Sequence, residues 1–572
     1  MSPNAPTRPA HLELSRLTRI VINKAHSKTQ IWGLLQRILV QHPTLWALAG
    51  GILFTTWGGL IPRIRWNAVE MMMGRNLLLG NGFVMAPLDP PALGRPLLGP
   101  VLCAVVELFS TDPYVIFRTI YATALTVFLV TMFYVAKALW DTAAAHLACV
   151  FIVTSGALTG ALVCHVHGFS HIVFLLVVGP ALWCTVRALQ NPTRIRLFSA
   201  GAWWGLVYCA RWEVLLFFAV TAGILLKVLY AENRRLRTLA RVSAFVVGFA
   251  LFFVPANIYQ SWAKAHYGIW GPSAITTFYA AEAWVTGNGD EEAGFAQGEQ
   301  LYGSLESNRS SLLRAMAHNP SALCARLAIN VPRFFGFFAF EQFFQPAWLV
   351  LLLGFGLDLA LARRRLTPLV WLGLLFLCTT TVCFFQIDSR YLTMCMPVIL
   401  LILCGGLTCL GNGVQRMFGR GKVAASLACL ALLGLLASGT SYDQLIAASS
   451  HASRVGGVRA LEFTRGLAQH FRQVTGSDRP DVLMVRLDQN VLPLGQPDLF
   501  MVSYFAGTAI AWPESGRYRR DKIFSMIYKQ PEYVYLPQGA RVGSEPPIAE
   551  YHSHFGVYSL FRASQRPARD DH

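Results

Sequence analysis

The stretch IRWNAVEMMMGRNLLLGNGFVMAPLDPPALGRP, which runs from Ile64 to Pro96, is the most informative part of the sequence. It follows directly on an apolar run, yet it contains acids, bases and prolines that end any helix. Its ionisable residues are Arg65, Glu70, Arg75, Asp89 and Arg95. Ionisable residues at the mouth of a membrane bundle are functional more often than not. We therefore expect a functional site in this stretch.

The composition indicates a membrane protein. The chain has 572 residues, of which 54% are hydrophobic and 14% charged, and its mean hydropathy is +0.45. A soluble protein of this length carries roughly a quarter charged residues. Because long charge-free runs recur along most of the sequence, we expect a polytopic helical membrane protein.

The net charge of +18 does not indicate a nucleic-acid partner. The basic residues form short clusters between apolar runs, for example Arg194 with Arg196 and the run Arg363 to Arg365. Such clusters set the orientation of a membrane protein through the positive-inside rule. No basic patch interleaved with aromatic residues is present, so we expect membrane lipids as partners and no nucleic acid.

The apolar runs predict about eleven spans, with the N-terminus in the cytoplasm. The predicted spans are 44–62, 114–136, 143–161, 171–188, 197–210, 212–231, 243–262, 346–362, 368–386, 393–411 and 422–440. The apolar segment from Leu97 to Phe109 is too short for a crossing and is predicted to be a juxtamembrane helix. Residues 1–43 lack a cleavable signal and form a basic cytoplasmic segment, either an interfacial helix or a loosely ordered tail.

This arrangement divides the chain into three parts. After the N-terminal segment, residues 44–441 form the transmembrane domain, with long non-cytoplasmic loops at 63–112 and 263–345. Residues 442–572 contain short strand-like stretches (DVLMVR, TAIAWP, EYVYLP and GVYSLF) that alternate with helical ones. They predict a small α/β domain, placed outside by the odd number of spans. The twelve cysteines lie almost all in apolar runs, which indicates core residues rather than disulfides.

Polar clusters from separate loops are predicted to meet on the non-cytoplasmic face. Besides the first loop, they are His165, His167 and His171 in the second loop, Arg211 and Glu213 in the third, and Arg390 and Tyr391 in the last. Moving a sugar onto a hydroxyl requires a base to take the proton and cations to hold the leaving phosphate. Sugar donors outside the cytoplasm are generally lipid-linked, and the planar arginine fork is well suited to their phosphate.

Several short motifs, in this order along the chain, resemble those of the GT-C superfamily of membrane glycosyltransferases, which use polyprenyl-phosphate sugars. NLLLGNGF (Asn76 to Phe83) resembles the turn that ends the family's first-loop helix. RPLLGPVLCAVVELFSTDPYVIFR resembles its juxtamembrane helix and next span, GAWWGLVYCARWE its Gly-rich span, and DSRYLTMCMPVILLI its late span. The resemblance covers most of residues 44–411.

The resemblance implies a bacterial inner-membrane enzyme that transfers a sugar, with inversion, from a polyprenyl-phosphate donor to a glycan or lipid acceptor. Where the family usually has its catalytic Asp, this chain has Trp66 and Asn67. The base is then either Glu70, one helical turn after Asn67, or Asp89. The predicted substrate-binding residues are Arg65, Asn67, Arg75, Arg95, His165, His167, His171, Arg211, Glu213, Arg390 and Tyr391.

Simpler interpretations remain open for each of these residues. Glu70 suits an arginine-paired position on an amphipathic helix, Asp89 a turn before proline, and Arg211 with Glu213 a structural ion pair. The histidines suit either a divalent cation or hydrogen bonds to water and phosphate; no cofactor is firmly implied. Two other functions fit the sequence: a non-catalytic transporter of lipid-linked glycans, or a degenerate relative that serves as an assembly partner.

Overall fold

The computed structural model describes most of the chain between residues 43 and 562. The described residues are 43–48, 68–84, 87, 91, 96–154, 169–230, 235–267, 274–285, 291–309, 311–336, 347–361, 366–385, 395–418, 451–476, 482–485, 502, 504–506, 508–510, 532–539, 546–553 and 556–562. The predicted N-terminal segment, most of the span at 44–62 and the span at 422–440 lie outside them.

The main body is a bundle of helices, preceded by two short ones. The short helices are α1 (Ala68–Leu78) and α2 (Leu98–Glu107). The bundle helices are α3 (Pro113–Leu139), α4 (Thr142–Thr154), α5 (Phe169–Gln190), α6 (Arg194–Ala210), α7 (Leu215–Tyr230), α8 (Arg235–Tyr267), α14 (Ala347–Leu361), α15 (Leu366–Thr379) and α16 (Met396–Phe418). Single 3₁₀ turns at Trp212–Val214 and Thr380–Phe384 precede α7 and follow α15.

Among the described residues, five helical segments are long and apolar enough to cross a membrane, by length and composition. They are Pro113–Leu139, His171–Gln190, Trp212–Tyr230, Thr238–Ala263 and Leu366–Phe384. They coincide with five of the predicted spans, and this confirms a helical multi-pass protein. The predicted spans at 197–210, 346–362 and 393–411 correspond to apolar helices α6, α14 and α16. The prediction of eleven spans stays a prediction.

α2 is an apolar helix too short to count as a candidate span. Its 10 residues extend about 15 Å, half the thickness of a bilayer core. It packs against α1, α3, α5 and α6. Leu108 and Phe109 just beyond it are exposed, Phe109 by 86%. Such apolar side chains at the bundle end suit the membrane interface.

Glycines bring α6 and α8 into close contact at the centre of the bundle. A Cβ on Gly201 would lie 2.0 Å from the carbonyl oxygen of Phe245, and one on Gly248 would lie 2.2 Å from that of Phe198. Only glycine allows backbones to approach this closely, as in other membrane helix pairs. The Gly-rich motif GAWWGLVYCA is therefore explained by the packing of α6.

We expect Gly201→Ala to destabilise the protein, because the added methyl group meets the rigid backbone of α8. Overpacking of this kind costs about 1–3 kcal/mol or more. Gly223→Ala in α7 is the matched control, since a Cβ there meets nothing within 4 Å. It should leave the melting temperature of the purified protein unchanged or raise it slightly, as alanine favours helix. Equal melting temperatures for the two variants would contradict the close packing.

Buried polar side chains inside the bundle are paired. The indole of Trp204 donates to Thr185 Oγ1 at 3.0 Å, and that of Trp371 donates to Thr221 Oγ1 at 3.0 Å. Trp140, at the end of α3, donates to Asp358 of α14 at 2.8 Å. In an apolar medium each of these bonds avoids the cost of a buried polar group without a partner.

Five short helices form a compact unit between α8 and α14, within the predicted loop at 263–345. They are α9 (Ala274–Ala280), α10 (Glu282–Val285), α11 (Glu291–Tyr302), α12 (Leu312–His318) and α13 (Pro320–Gly336). They share a small core that includes Ile275, Phe278 and Phe295. This loop is therefore a folded element of its own.

The C-terminal part is an α/β unit, in agreement with the sequence pattern. Helix α17 (His451–Thr475) packs on a five-stranded sheet of order β2-β1-β3-β5-β4. The strands are β1 (Val482–Val485), β2 (Ala509–Ile510), β3 (Tyr533–Pro537), β4 (Ala549–Ser553) and β5 (Gly556–Arg562). The first three are parallel, and β5 pairs antiparallel with both β3 and β4. Strand β4 was not predicted, because its sequence AEYHS is polar, as suits an edge strand.

Candidate functional site

The polar residues of interest lie at one end of the bundle, which we call the α1 end. Helices α3, α5 and α7 begin there, and α6, α8 and α15 end there, as the alternation of the helices requires. Helix α2 connects the first loop to this end through its contacts with α5 and α6. Side chains from separate predicted loops therefore converge at the α1 end.

The turn after α1 is built by the motif NLLLGNGF. Gly80 and Gly82 have φ of 82° and 83°, a region that other residues rarely adopt. The buried amide of Asn76 donates to the carbonyl of Val84 at 3.2 Å and accepts from Asn81 Nδ2 at 3.1 Å. The asparagine and the glycines thus end the helix and turn the chain, a local structural role.

Glu70 lies where α1, α2 and α5 meet. Gly74 brings the first two helices together, because a Cβ there would lie 2.8 Å from that of Cys103. A Cβ on Gly99 of α2 would lie 3.5 Å from Glu70 Cγ and 3.4 Å from the ring of Phe169, the first residue of α5. Glu70 is only 3% exposed. Its carboxylate is therefore held inside the α1 end, beside the beginning of α5.

Arg211, His171 and Glu213 form a second polar group. Arg211 caps the end of α6, and its Nη1 lies 3.3 Å from His171 Nε2 near the start of α5. Its Nη2 donates to Glu213 Oε1 at 3.0 Å. Because a guanidinium only donates, His171 Nε2 is the acceptor and carries no proton. The structure thus brings the second and third predicted loops together, with Arg211 between a neutral histidine and a carboxylate.

Arg75 lies beside the C-terminal domain. Its Nη1 is 3.5 Å from Glu107 Oε1 of α2, and its guanidinium lies 4.8 Å from the centre of the Tyr504 ring. Burial raises the pKa of the Glu107 carboxyl, while Arg75 opposes that shift. Arg75 therefore belongs to this cluster, and its predicted part in substrate binding stays a prediction.

Helix α13 holds the end of α15. The guanidinium of Arg326, 1% exposed, donates to Glu282 of α10 and to the carbonyls of Phe278 and Phe384. One turn later, Asn330 Nδ2 donates to the carbonyls of Cys383 and Phe385 at 2.9 and 2.8 Å. These bonds fix the chain just before the segment that contains Arg390.

Eight predicted site residues lie outside the part of the chain that the structure describes. They are Arg65, Asn67, Asp89, Arg95, His165, His167, Arg390 and Tyr391. Their participation in a site stays a prediction.

A metal site finds no geometric support among the described residues. No group of three or more His, Cys, Asp or Glu side chains there is arranged to hold a metal ion. The divalent cation that the histidines suggested therefore has no ligand set among the described residues.

Three residues of these clusters were not predicted: Glu107, Glu282 and Tyr504. Glu107 was visible as a single acid in the apolar stretch AVVELF, which is a usable signal for a buried pair. Glu282 and Arg326 are 44 positions apart, and Tyr504 is far from Arg75 in sequence. Only the fold shows that these residues meet.

The fold, a helical bundle with two short helices at one end and a C-terminal α/β unit, is similar to that of solved structures. ArnT from Cupriavidus metallidurans bound to undecaprenyl phosphate is similar in structure, with a TM-score of 0.51 and 10% sequence identity. The similarity covers 89% of this chain and 97% of that one.

The Archaeoglobus fulgidus oligosaccharyltransferase is more distantly similar. Tethered with an acceptor peptide, it gives a TM-score of 0.43 at 11% identity, over 86% of this chain and 69% of that one. In its complex with Zn and sulfate the TM-score is 0.46 at 12% identity, over 86% and 67% of the two chains. No protein-family model and no curated protein matches the sequence.

Proposed function

We propose that this protein is a membrane glycosyltransferase that moves a sugar from a polyprenyl-phosphate donor to a glycan or lipid acceptor. The observation that carries the proposal is the convergence at the α1 end, where the buried Glu70 and the Arg211 cluster both flank the start of α5. The fold shared with ArnT, which was crystallised with undecaprenyl phosphate, supports a lipid phosphate as part of the donor.

In the proposed reaction the acceptor hydroxyl attacks the anomeric carbon. The new C–O bond forms as the bond from that carbon to the phosphate oxygen breaks, and the polyprenyl phosphate leaves with the electron pair. Glu70 takes the hydroxyl proton as general base, and attack opposite to the leaving group inverts the anomeric carbon. Because Glu70 is 3% exposed, the acceptor hydroxyl has to reach a carboxylate inside the α1 end. Asp89 is the alternative base.

Arg211 is the described cation best placed to hold the leaving phosphate. Its guanidinium is largely buried, where electrostatic attraction to an oxyanion is stronger than in water. His171 and Glu213 fix its orientation from two sides. Arg95 and Arg390, with Tyr391, are the further candidates from the sequence, and Arg65, Asn67, His165 and His167 complete the proposed substrate-binding set.

The proposed setting is the inner membrane of a bacterium, with the α1 end and the C-terminal domain on the periplasmic side. Basic clusters support this orientation: Arg194 and Arg196 lie at the opposite end of α6 from Arg211. A donor phosphate at headgroup depth would then lie level with α2, whose exposed Phe109 suits the membrane interface.

The test is an assay of purified protein in lipid vesicles with radiolabelled polyprenyl-phosphate sugars, with and without a lipid or glycan acceptor. The proposal expects the label to move to the acceptor and free polyprenyl phosphate to be released. Label that crosses the bilayer while still attached to its lipid identifies a transporter. Neither transfer nor translocation over a panel of hexose and pentose donors would point to a non-catalytic assembly partner. Both of these results would overturn the proposal.

A further inference from the structure

The C-terminal domain contacts the first-loop helices through one buried aromatic side chain. Tyr504 is 1% exposed, and its hydroxyl donates to the carbonyl of Thr111, between α2 and α3, at 3.3 Å. The face of its ring covers the guanidinium of Arg75 of α1 at 4.8 Å. One side chain of the external domain thus contacts two elements at the α1 end.

The contact lies beside an ion pair whose carboxylate is buried. The Glu107 side chain is 5% exposed and lies 3.5 Å from Arg75. A buried carboxylate is costly unless a cation and surrounding side chains compensate for lost hydration. Arg75, 30% exposed, supplies the charge, and the Tyr504 ring covers part of its guanidinium and attracts the cation through its π face. Without Tyr504, this cover over Arg75 would be lost.

The docking segment is also held from its own domain. Arg472 of α17 donates to the carbonyl of Ala506, and Arg465 lies over the Phe505 ring at 5.1 Å. Arg465 also lies 3.9 Å from Asp112, the residue that caps α3. Residues 504–506 therefore contact both α17 and the α1 end. A displacement of the C-terminal domain acts directly on α1 and α2.

The ion pair and Glu70 belong to the same two-helix unit. Arg75 and Glu107 join the C-terminal ends of α1 and α2, and Gly74 packs against Cys103 between them. Glu70 packs against Gly99 at the other end of the same contact. Because interlocked helices move as a unit, a shift at Arg75 also shifts Glu70.

We propose that Tyr504 is a positioning residue: by docking the C-terminal domain on Arg75 and Glu107, it fixes helix α1 and sets the place of the Glu70 carboxylate. The inference rests on the proposed function, because it gives Glu70 the role of base. The C-terminal domain would then contribute to the transfer step without contacting the substrate.

The experiment uses the full-length protein in lipid nanodiscs and compares Tyr504→Ala with Tyr504→Phe and the wild type. For Tyr504→Ala we expect faster amide hydrogen exchange in residues 68–78, while strand β3 keeps its protection. We also expect kcat for transfer to fall about 10-fold to 100-fold, as small misplacements of a catalytic group do, with KM for the donor nearly unchanged. Tyr504→Phe keeps the ring over Arg75 but loses the hydroxyl that donates to the carbonyl of Thr111, so both changes should be clearly smaller than for Tyr504→Ala.

Tyr533→Ala is the matched control, since Tyr533 lies in β3 and packs edge-on against Phe471 within the C-terminal domain. It should leave exchange in 68–78 unchanged. If Tyr504→Ala also removes protection from β3, Arg75→Met tests the same contact from the α1 side, with the same expected exchange.

Unchanged amide hydrogen exchange in residues 68–78 for both Tyr504→Ala and Arg75→Met would overturn the inference, whatever happens to activity. Faster exchange with an unchanged kcat would also overturn it, because α1 would then move without consequence for transfer. If the wild type transfers no sugar, the proposed function fails by itself. The exchange measurement then decides alone whether Tyr504 fixes α1.

Discussion

Glu70→Gln abolishes sugar transfer while the protein still folds: this is the result that the proposed mechanism requires. Glutamine keeps the shape of the side chain, which packs between Gly99 and the start of α5, but cannot take a proton from the acceptor. Loss of a general base should lower kcat about 100-fold to 10,000-fold. The measurement is transfer from a labelled polyprenyl-phosphate sugar, with the melting temperature recorded for each preparation.

Two further variants make this result specific. Glu306→Gln changes an exposed carboxylate in the loop after α11 and should leave transfer unchanged. Asp89→Asn tests the alternative base; if it abolishes transfer and Glu70→Gln does not, Asp89 is the base. Full activity of Glu70→Gln with a lowered melting temperature would show that Glu70 is a structural residue of the α1–α2 pair.

Arg326→Met should produce the largest loss of stability among the described charged residues. The substitution leaves the carboxylate of Glu282 buried without its cation and removes donors from the carbonyls of Phe278 and Phe384. Removing one partner of a buried ion pair costs about 3–5 kcal/mol. Equilibrium unfolding of the purified protein in mixed micelles measures the change.

A double-mutant cycle separates the pair from its surroundings. Glu282→Gln combined with Arg326→Met should be less destabilising than the sum of the two single variants, because the second change removes the orphaned charge. Arg314→Met, on the exposed face of α12, is the control and should stay within about 0.5 kcal/mol of the wild type. Strict additivity would show that the two side chains do not depend on each other.

Much of the fold was predictable, because the signals that define it are local. Apolar runs of sufficient length predicted the helices at 114–136, 171–188, 212–231, 243–262 and 368–386. The short length of the segment from Leu97 to Phe109 predicted a helix that does not cross. Alternating apolar residues predicted four of the five strands, and only the polar edge strand was missed. Composition and periodicity suffice where neighbours along the chain decide the structure.

The site was predictable only in part, since its geometry depends on contacts between distant segments. The sequence singled out Glu70, His171 and Arg211, but nothing in it showed that His171 and Arg211 would meet across 40 positions. It singled out Arg75 as a substrate-binding residue, but not its contacts with Glu107 and Tyr504, which only the fold shows. A charged residue's partner is set by tertiary packing, which the local pattern of a single sequence does not contain.

The interlocking of α6 with α8 has a mechanical consequence. Gly201 and Gly248 each abut the other helix's carbonyl oxygens, so the two helices cannot slide or separate without breaking the interlock. The outer face of α8 carries exposed Val247, Leu251 and Ile258, while α6 ends directly at Arg211. Because this packing ties α8 to α6, a tilt of α8 would carry Arg211 with it.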